Sequence, residues 1–232
     1  MKKWTYLFVA VQALACILAP RLAAAQLSIE ISTIEELQKI GNDPAYPLGG
    51  DYVLTQDIDA SDTVNWNGGR GFKPIGGALI NDLSTGFKGK LDGQGFRIEN
   101  LSISMPLDEY VGLFGTVGKG GAVENISLYK ASISARNGVG GVAGCTDGGF
   151  VTNCFVTGRI EGKVTVGGIV GFSFSNSVIS KCVSSVVLKG GNNSGGLIGL
   201  LLDSALSDSY ATGIVQSGQY DSSAGLVGAL KN

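Results

Sequence analysis

A glycine-flanked apolar block recurs five times in this chain. It reads Gly112-Leu113-Phe114-Gly115, Gly141-Val142-Ala143-Gly144, Gly168-Ile169-Val170-Gly171, Gly196-Leu197-Ile198-Gly199 and Gly225-Leu226-Val227-Gly228. The first positions are 29, 27, 28 and 29 residues apart. A fixed period of this length marks a repeat architecture. A second element keeps the same beat: Val123-Glu-Asn-Ile, Val151-Thr-Asn-Cys, Ile179-Ser-Lys-Cys and Leu206-Ser-Asp-Ser begin 28, 28 and 27 residues apart. One such loop of three short strands cannot bury its apolar side alone. Stacking the loops puts Val123, Val151, Ile179 and Leu206 in one column, each about 4.8 Å above the last, with backbones hydrogen-bonded coil to coil. The predicted fold is all-β, a parallel β-helix of coils about 28 residues long.

Within the third coil the strand candidates are Val151 to Val156, Arg159 to Glu161 and Val166 to Val170, with Gly158, Gly162 and Gly171 at or near corners. Runs of three to five β-formers punctuated by glycine suit short strands rather than helices. No proline follows Pro106, as strands paired on both sides require. Asn100, Asn125 and Asn153 are read as one column, continued by Lys181 and Asp208, laddering their amides or capping a corner. Lys181 with Asp208, and Glu161 with Lys189, place opposite charges in adjacent coils. An extra residue near Ala131-Ser132-Ile133 suggests a bulge.

Three regions are expected: an export leader over 1–25, an N-terminal cap with the first coils over 26–95, and the repeats over 96–232. Lys2 and Lys3 precede an uncharged apolar run to Ala19, and Ala23-Ala24-Ala25 offers a cleavage site. The run is shorter than the roughly 20 residues a membrane span needs, and no later run reaches that length. Lipidation at Cys16 is the weaker variant. Ser28 to Ile31 is a short strand candidate. Ser32-Thr33-Ile34-Glu35 fits a capping box, and Ile34, Leu37 and Ile40 give a short capping helix ended by Gly41. Tyr52 to Ile58 reads as a strand, Asp59 to Gly71 as a polar loop holding Trp66, and Phe72 to Ile75 and Phe87 to Leu91 as short strands. Phe96 to Ile103 resembles the element at Val123.

The blocks, with "FKGKLDGQGFRIENLSI", "DYVLTQDID" and "NCFVTGRIEG", resemble the GLUG-repeat proteins over residues 30 to 230. Such repeats occur in exported bacterial surface proteins, among them adhesin-like proteins and the non-catalytic parts of immunoglobulin-cleaving zinc peptidases. The resemblance implies a right-handed β-helix at the bacterial surface. No catalytic domain, sorting signal or translocator is recognisable beside the repeats.

Chemistry is sparse. The 232 residues include no histidine, so the zinc-peptidase motif is excluded. The acids of the repeats, Glu124, Asp147, Glu161, Asp203, Asp208 and Asp221, share no column, whereas polysaccharide lyases and hydrolases need clustered carboxylates. No catalytic residue, metal or cofactor is expected. Asp57-x-Asp59-x-Ser61-Asp62 lacks the glycine and closing glutamate of a calcium loop and reads as a polar turn. Cys145, Cys154 and Cys182 are odd in number, and the parallel side chains of Cys154 and Cys182 favour stacked thiols over a bridge. Net charge is −2, or about −5 once Lys2, Lys3 and Arg21 leave with the leader, so nucleic acid is a poor partner. Phe155 and Tyr210 share a column interrupted by Ser127 and Val183.

The expected function is therefore a non-catalytic surface module, adhesin-like or structural, with a glycan or a host or matrix protein as partner. The candidate ligand loop carries Trp66 and Arg70. The alternative is a carbohydrate-active β-helix enzyme with its site around Trp66, Arg70 and Asp92. The chain closes on Ala229-Leu-Lys-Asn232 directly after a full block, which points to a truncated frame or to end-to-end docking with a partner or another copy.

Overall fold

The computed structural model describes residues 28–77, 85–217 and 222–231. The expected leader, Cys16 and Asp221 lie outside the described residues. The chain begins with β1 (Ile29–Ile31), α1 (Ile34–Lys39), β2 (Asp51–Leu54), β3 (Ile58–Asp59) and a kinked 3-10 segment, Ser61–Gly69. Then come β4 (Lys90–Asp92), β5 (Arg97–Glu99), β6 (Ser102–Val111) and β7 (Phe114–Val117). The next coil holds β8 (Ala122–Glu124), β9 (Ser127–Val139) and β10 (Ala143–Asp147). The third holds β11 (Phe150–Thr152), β12 (Phe155–Glu161), β13 (Val164–Gly167) and β14 (Val170–Phe174). The fourth holds β15 (Val178–Ser180), β16 (Val183–Lys189), β17 (Asn192–Gly195) and β18 (Ile198–Leu202). The last holds β19 (Ala205–Ser207), β20 (Tyr210–Ala211), β21 (Ile214–Gln216), β22 (Ser223–Ala224) and β23 (Val227–Lys231).

These strands stack in parallel as a β-solenoid of about five turns, as predicted. One sheet runs β1-β2-β4-β8-β11-β15-β19, a second is built around β9, β12 and β16, and the third runs β7-β10-β14-β18-β23. Seven residues share one inward column of the first sheet: Ile29, Tyr52, Leu91, Val123, Val151, Ile179 and Leu206. The third sheet contributes Phe114, Ala143, Val170, Ile198 and Val227. Tyr52, Leu91, Val123, Val151 and Ile179 are at most 1% exposed. Each buried aliphatic side chain is favourable by about 1.5–3 kcal/mol. A one-residue slip would turn a whole column outward, so the apolar pattern fixes the register.

The corners differ from the expected ones in an instructive way. Val151 to Val156 is not one strand: Asn153 takes a left-handed conformation (φ 53°) and turns the chain between β11 and β12. Val166 to Val170 is broken at Gly168-Ile169, so the repeated block is itself a corner between β13 and β14. Gly171 and Gly158 lie inside strands, not at corners. Gly158 has φ 124° and faces Ala131, beside the bulge at Tyr129-Lys130 where two residues oppose Thr157. The bulge thus falls next to its expected place. Tyr52 to Ile58 likewise divides into β2 and β3, and Phe72 to Ile75 forms no strand, Ile75 making an isolated bridge to Phe114.

The Asn100 assignment is corrected. Leu91 pairs with Val123, whereas Ile98 pairs with Leu128 and Asn100 donates its backbone N–H to Tyr129. Asn100 therefore lies beside Lys130, and the asparagine column is Gly93, Asn125, Asn153, Lys181 and Asp208. The segments beginning at Phe96 and at Val123 carry similar apolar spacing; β4 already occupies the Val123 column through Leu91 and excludes Ile98 from it.

The glycines of the block serve close approach. A Cβ on Gly144 would lie 2.1 Å from the Tyr110 carbonyl carbon, on Gly171 2.4 Å from that of Gly138, on Gly199 2.6 Å from Val166 N, and on Gly228 2.5 Å from the Asn193 carbonyl carbon. On Gly115 it would lie 2.3 Å from Gly76 O. The opening glycines meet the next coil: Gly112 faces Gly140 O, Gly141 faces Gly168 O, Gly168 faces Gly196 O, and Gly196 faces Gly225 O. Gly225 faces open space.

The cap sits one residue later than the expected box. Thr33, not Ser32, accepts from Glu36 N at 3.2 Å, and Glu36 accepts from Ser32 N at 2.8 Å. Ile34 and Leu37 of α1 are buried against the first coil. The first sheet runs unbroken from β1 to β19, so cap and repeats form one stack.

Candidate functional site

A groove of about 540 Å³ runs over the corner between the first and second sheets. One wall is the turn column, with Asn125, Asn153 and Lys181, and Asp92 one position before it; the floor is the next outward column, with Ser127, Phe155 and Val183. Asparagine is suited to these corners because its short polar side chain tolerates the left-handed conformation. Asn125, Asn153 and Lys181 have φ of 57°, 53° and 54°. Asn153 Nδ2 donates to Asn125 Oδ1 at 2.7 Å, and Asn125 Nδ2 donates to Asp92 Oδ1 at 2.8 Å. The expected amide ladder is thus present, anchored on Asp92 rather than Asn100. Phe155 packs against Tyr129 with centroids 5.3 Å apart, and the Arg97 guanidinium lies 4.9 Å above the Tyr129 ring.

One end of the groove is lined by an insertion in the first coil. Six residues, 92 to 97, separate the paired positions Leu91 and Ile98, against four, 124 to 127, between Val123 and Leu128. The extra length is the Gly93-Gln94-Gly95 turn, which lines the groove. Asp92 has a pKa below the ordinary aspartate value. Partial burial opposes its charge, but the Asn125 amide, the Gln94 N–H and Lys90 outweigh it. Lys90 also pairs with Glu124, and its ammonium is held above the usual lysine value mainly by that contact. Register places Asp92 beside Glu124 on adjacent strands. Sequence reasoning named Asp92 for the alternative site and Glu124 among the acids of the repeats but did not pair them, because the register that sets them side by side is fixed between coils.

Trp66 and Arg70 do not come together with Asp92. Trp66 stacks on Phe72, centroids 6.5 Å apart, and Arg70 pairs with Asp108 at 2.5 Å. Each lines a depression separate from the groove, Trp66 with Gln38 and Asn42, and Arg70 with Asp108 and Met105. Asp59 serves a polar turn, accepting from Ser61 N at 3.0 Å and from Asn100 Nδ2 at 3.1 Å. Cys145, Cys154 and Cys182 are buried free thiols. Contact with Cys182 and full burial push the Cys154 thiol up, the opposite of what a nucleophile needs. Glu161 pairs with Lys189 at 2.8 Å, as expected, whereas Lys181 and Asp208 share their column without an ion pair among the described residues. No helix among the described residues is long and apolar enough to cross a membrane.

No protein-family model matches the chain. It is 42% identical over 159 residues to halomucin of Haloquadratum walsbyi, covering 68% of this chain and 2% of that protein. It is 39% identical over 80 residues to a Gly-rich membrane protein of Evansella cellulosilytica, covering 34% of this chain and 9% of the relative. It is 30% identical over 191 residues to an immunoglobulin A1 protease of Streptococcus sanguinis, covering 79% and 9%. The chain thus spans less than a tenth of the length of these relatives. A crystal structure described as an immunoglobulin A1 protease from Bacteroides ovatus superposes with TM-score 0.47 at 16% identity, over 90% of this chain and 84% of that one.

Proposed function

We propose that the chain is a non-catalytic, exported β-solenoid module that acts at the cell surface as an adhesin-like or structural segment. The observation that carries this reading is the unbroken seven-strand column from Ile29 to Leu206, which makes the chain a rod whose backbone polar groups are engaged coil to coil. A stack of this kind conveys stiffness and a repeating lateral surface. The five glycine-flanked blocks support placing it with the GLUG repeats. The names of the relatives, halomucin, a Gly-rich membrane protein and an immunoglobulin A1 protease, support a surface or extracellular setting, and their far greater lengths support a modular role. Labelling of intact cells with a membrane-impermeant reagent tests it. Strong labelling, with no release of reducing ends from polysaccharides, supports the module, whereas cytoplasmic retention sinks it.

The Asp92–Glu124 pair favours a second reading, a carbohydrate-active enzyme. Glycoside hydrolysis asks one carboxyl to hold its proton near neutral pH. Asp92 is shifted the other way, and Glu124 is engaged by Lys90. Sugar release that disappears in Asp92→Asn would restore the enzyme reading.

A further inference from the structure

We infer that the groove beside the asparagine column binds an extended, uncharged pyranose chain lying parallel to the solenoid axis, about one ring per coil. This deepens the surface-module reading and rests on it. Four coils contribute in turn: Asp92 with Gln94, Asn125 with Ser127, Asn153 with Phe155, and Lys181 with Val183. Three steps of about 4.8 Å give a length of about 14 Å. A β-linked hexopyranose advances by nearly the same distance per ring, so a sugar chain stays in register with the coils.

The chemistry of the wall and floor suits hydroxyl groups and the apolar face of a sugar ring. The ladder from Asp92 to Asn153 would be self-contained if the column continued with asparagine. It stops instead at Lys181. Among the described residues, Asn153 Oδ1 and the Lys181 ammonium have no partner, and each amide Nδ2 of the ladder has a second hydrogen to donate. Phe155 supplies a half-buried ring whose orientation is set by Tyr129. Rigid aromatic surface flanked by a few fixed polar groups is the usual make-up of a small-molecule site.

The same geometry disfavours other occupants. An extended peptide would seek free backbone groups at a strand edge. Here the backbone N–H groups along the groove are engaged: Asn153 N with Ser180 O, Lys181 N with Ser207 O, Phe155 N with Ile126 O, and Val183 N with Cys154 O. A polyanion would meet Asp92 at one end and one ammonium at the other, with neutral amides between.

The test is isothermal titration of the full chain with cello-, xylo-, manno- and chito-oligosaccharides of one to six rings. Heparin, oligogalacturonate and an extended peptide serve as comparators. Affinity is expected to rise with length and level off at about four rings. Phe155→Ser, which copies Ser127 of the same column, is expected to weaken binding at least about tenfold. Lys181→Asn, which extends the ladder and engages Asn153, also weakens it. Phe150→Ser, at an exposed phenylalanine outside the groove, leaves it unchanged. Equal urea midpoints for the variants show that the fold is intact. Absence of binding by every neutral chain, affinity independent of length, indifference to Phe155→Ser, or preference for the polyanion or peptide overturns the inference. Surface labelling that persists without glycan binding removes the groove assignment alone, while shortening of the glycan during titration removes the non-catalytic reading instead.

Discussion

Replacing Gly171 by alanine isolates why the repeat must end its block in glycine. A Cβ there would lie 2.4 Å from the Gly138 carbonyl carbon, 2.4 Å from Val139 N and 2.7 Å from Gly144 O. All three are backbone atoms of the preceding coil, held by ladder hydrogen bonds, so no flexible side chain can yield. Overpacking of this kind costs about 1–3 kcal/mol, and the rigidity of the contact places it at the upper end. Alanine also restricts the unfolded chain, which offsets about 0.4–1 kcal/mol. The net loss is about 2–3 kcal/mol. Gly225→Ala is the comparison, since it is a glycine of another copy of the block, has no atom within 4 Å and lacks a left-handed φ. It is expected to be neutral or to stabilise by about 0.4–1 kcal/mol. With urea m-values of about 2–3 kcal/mol/M, the two midpoints should differ by about 1 M, read by far-ultraviolet circular dichroism. Hydrogen exchange over β13 and β14 reads the same difference locally if the coils unfold in sequence. Equal midpoints and equal protection for the two variants would refute the close-approach account of the repeat.

Asn153→Ala should cost about 2–3 kcal/mol, combining left-handed strain of about 1–2 with a lost hydrogen bond of about 1; Asn153→Gly should cost less, and the reverse order in thermal unfolding would sink the argument. Thr33→Ala removes the cap of α1 and should cost about 1 kcal/mol in urea unfolding. The three buried thiols should resist alkylation in the native chain and all react in denaturant, as mass spectrometry can count. Acid should destabilise the fold through Glu36, Asp92 and Glu161, whose folded pKa values are lowered chiefly by Ser32, by Asn125 against partial burial, and by Lys189 respectively. A lowered folded pKa contributes stability that is complete above the unfolded values of about 4 and is lost as pH falls through the folded ones. Urea midpoints should therefore hold from pH 7 to about 5 and decline below about 4, and a midpoint that rises on acidification would contradict the assignment.

The period alone made much of the fold readable. Val123, Val151, Ile179 and Leu206 had to share a column because only that stacking buries them together, and Glu161 then had to meet Lys189. The corners were less legible. Asn153 and Gly168 interrupt runs of β-formers that look continuous, because a bend at one residue leaves the local hydrophobic pattern almost unchanged. Asn100 was misplaced for a related reason: its flanking leucine and isoleucine fit two columns equally well, and only occupancy by Leu91 decides between them.

By itself the sequence determined the repeat, the solenoid class, the capping helix and the burial of the apolar columns, since these follow from periodicities that each coil carries within its own residues. Only the tertiary structure decided what sits beside what across coils: Asp92 next to Glu124, the ladder ending at Lys181, and Phe155 flooring a groove away from Trp66 and Arg70. Those relations depend on the phase with which the irregular N-terminal coils join the regular ones. That phase is set by hydrogen bonds and close packing between distant residues, not by any pattern within a coil.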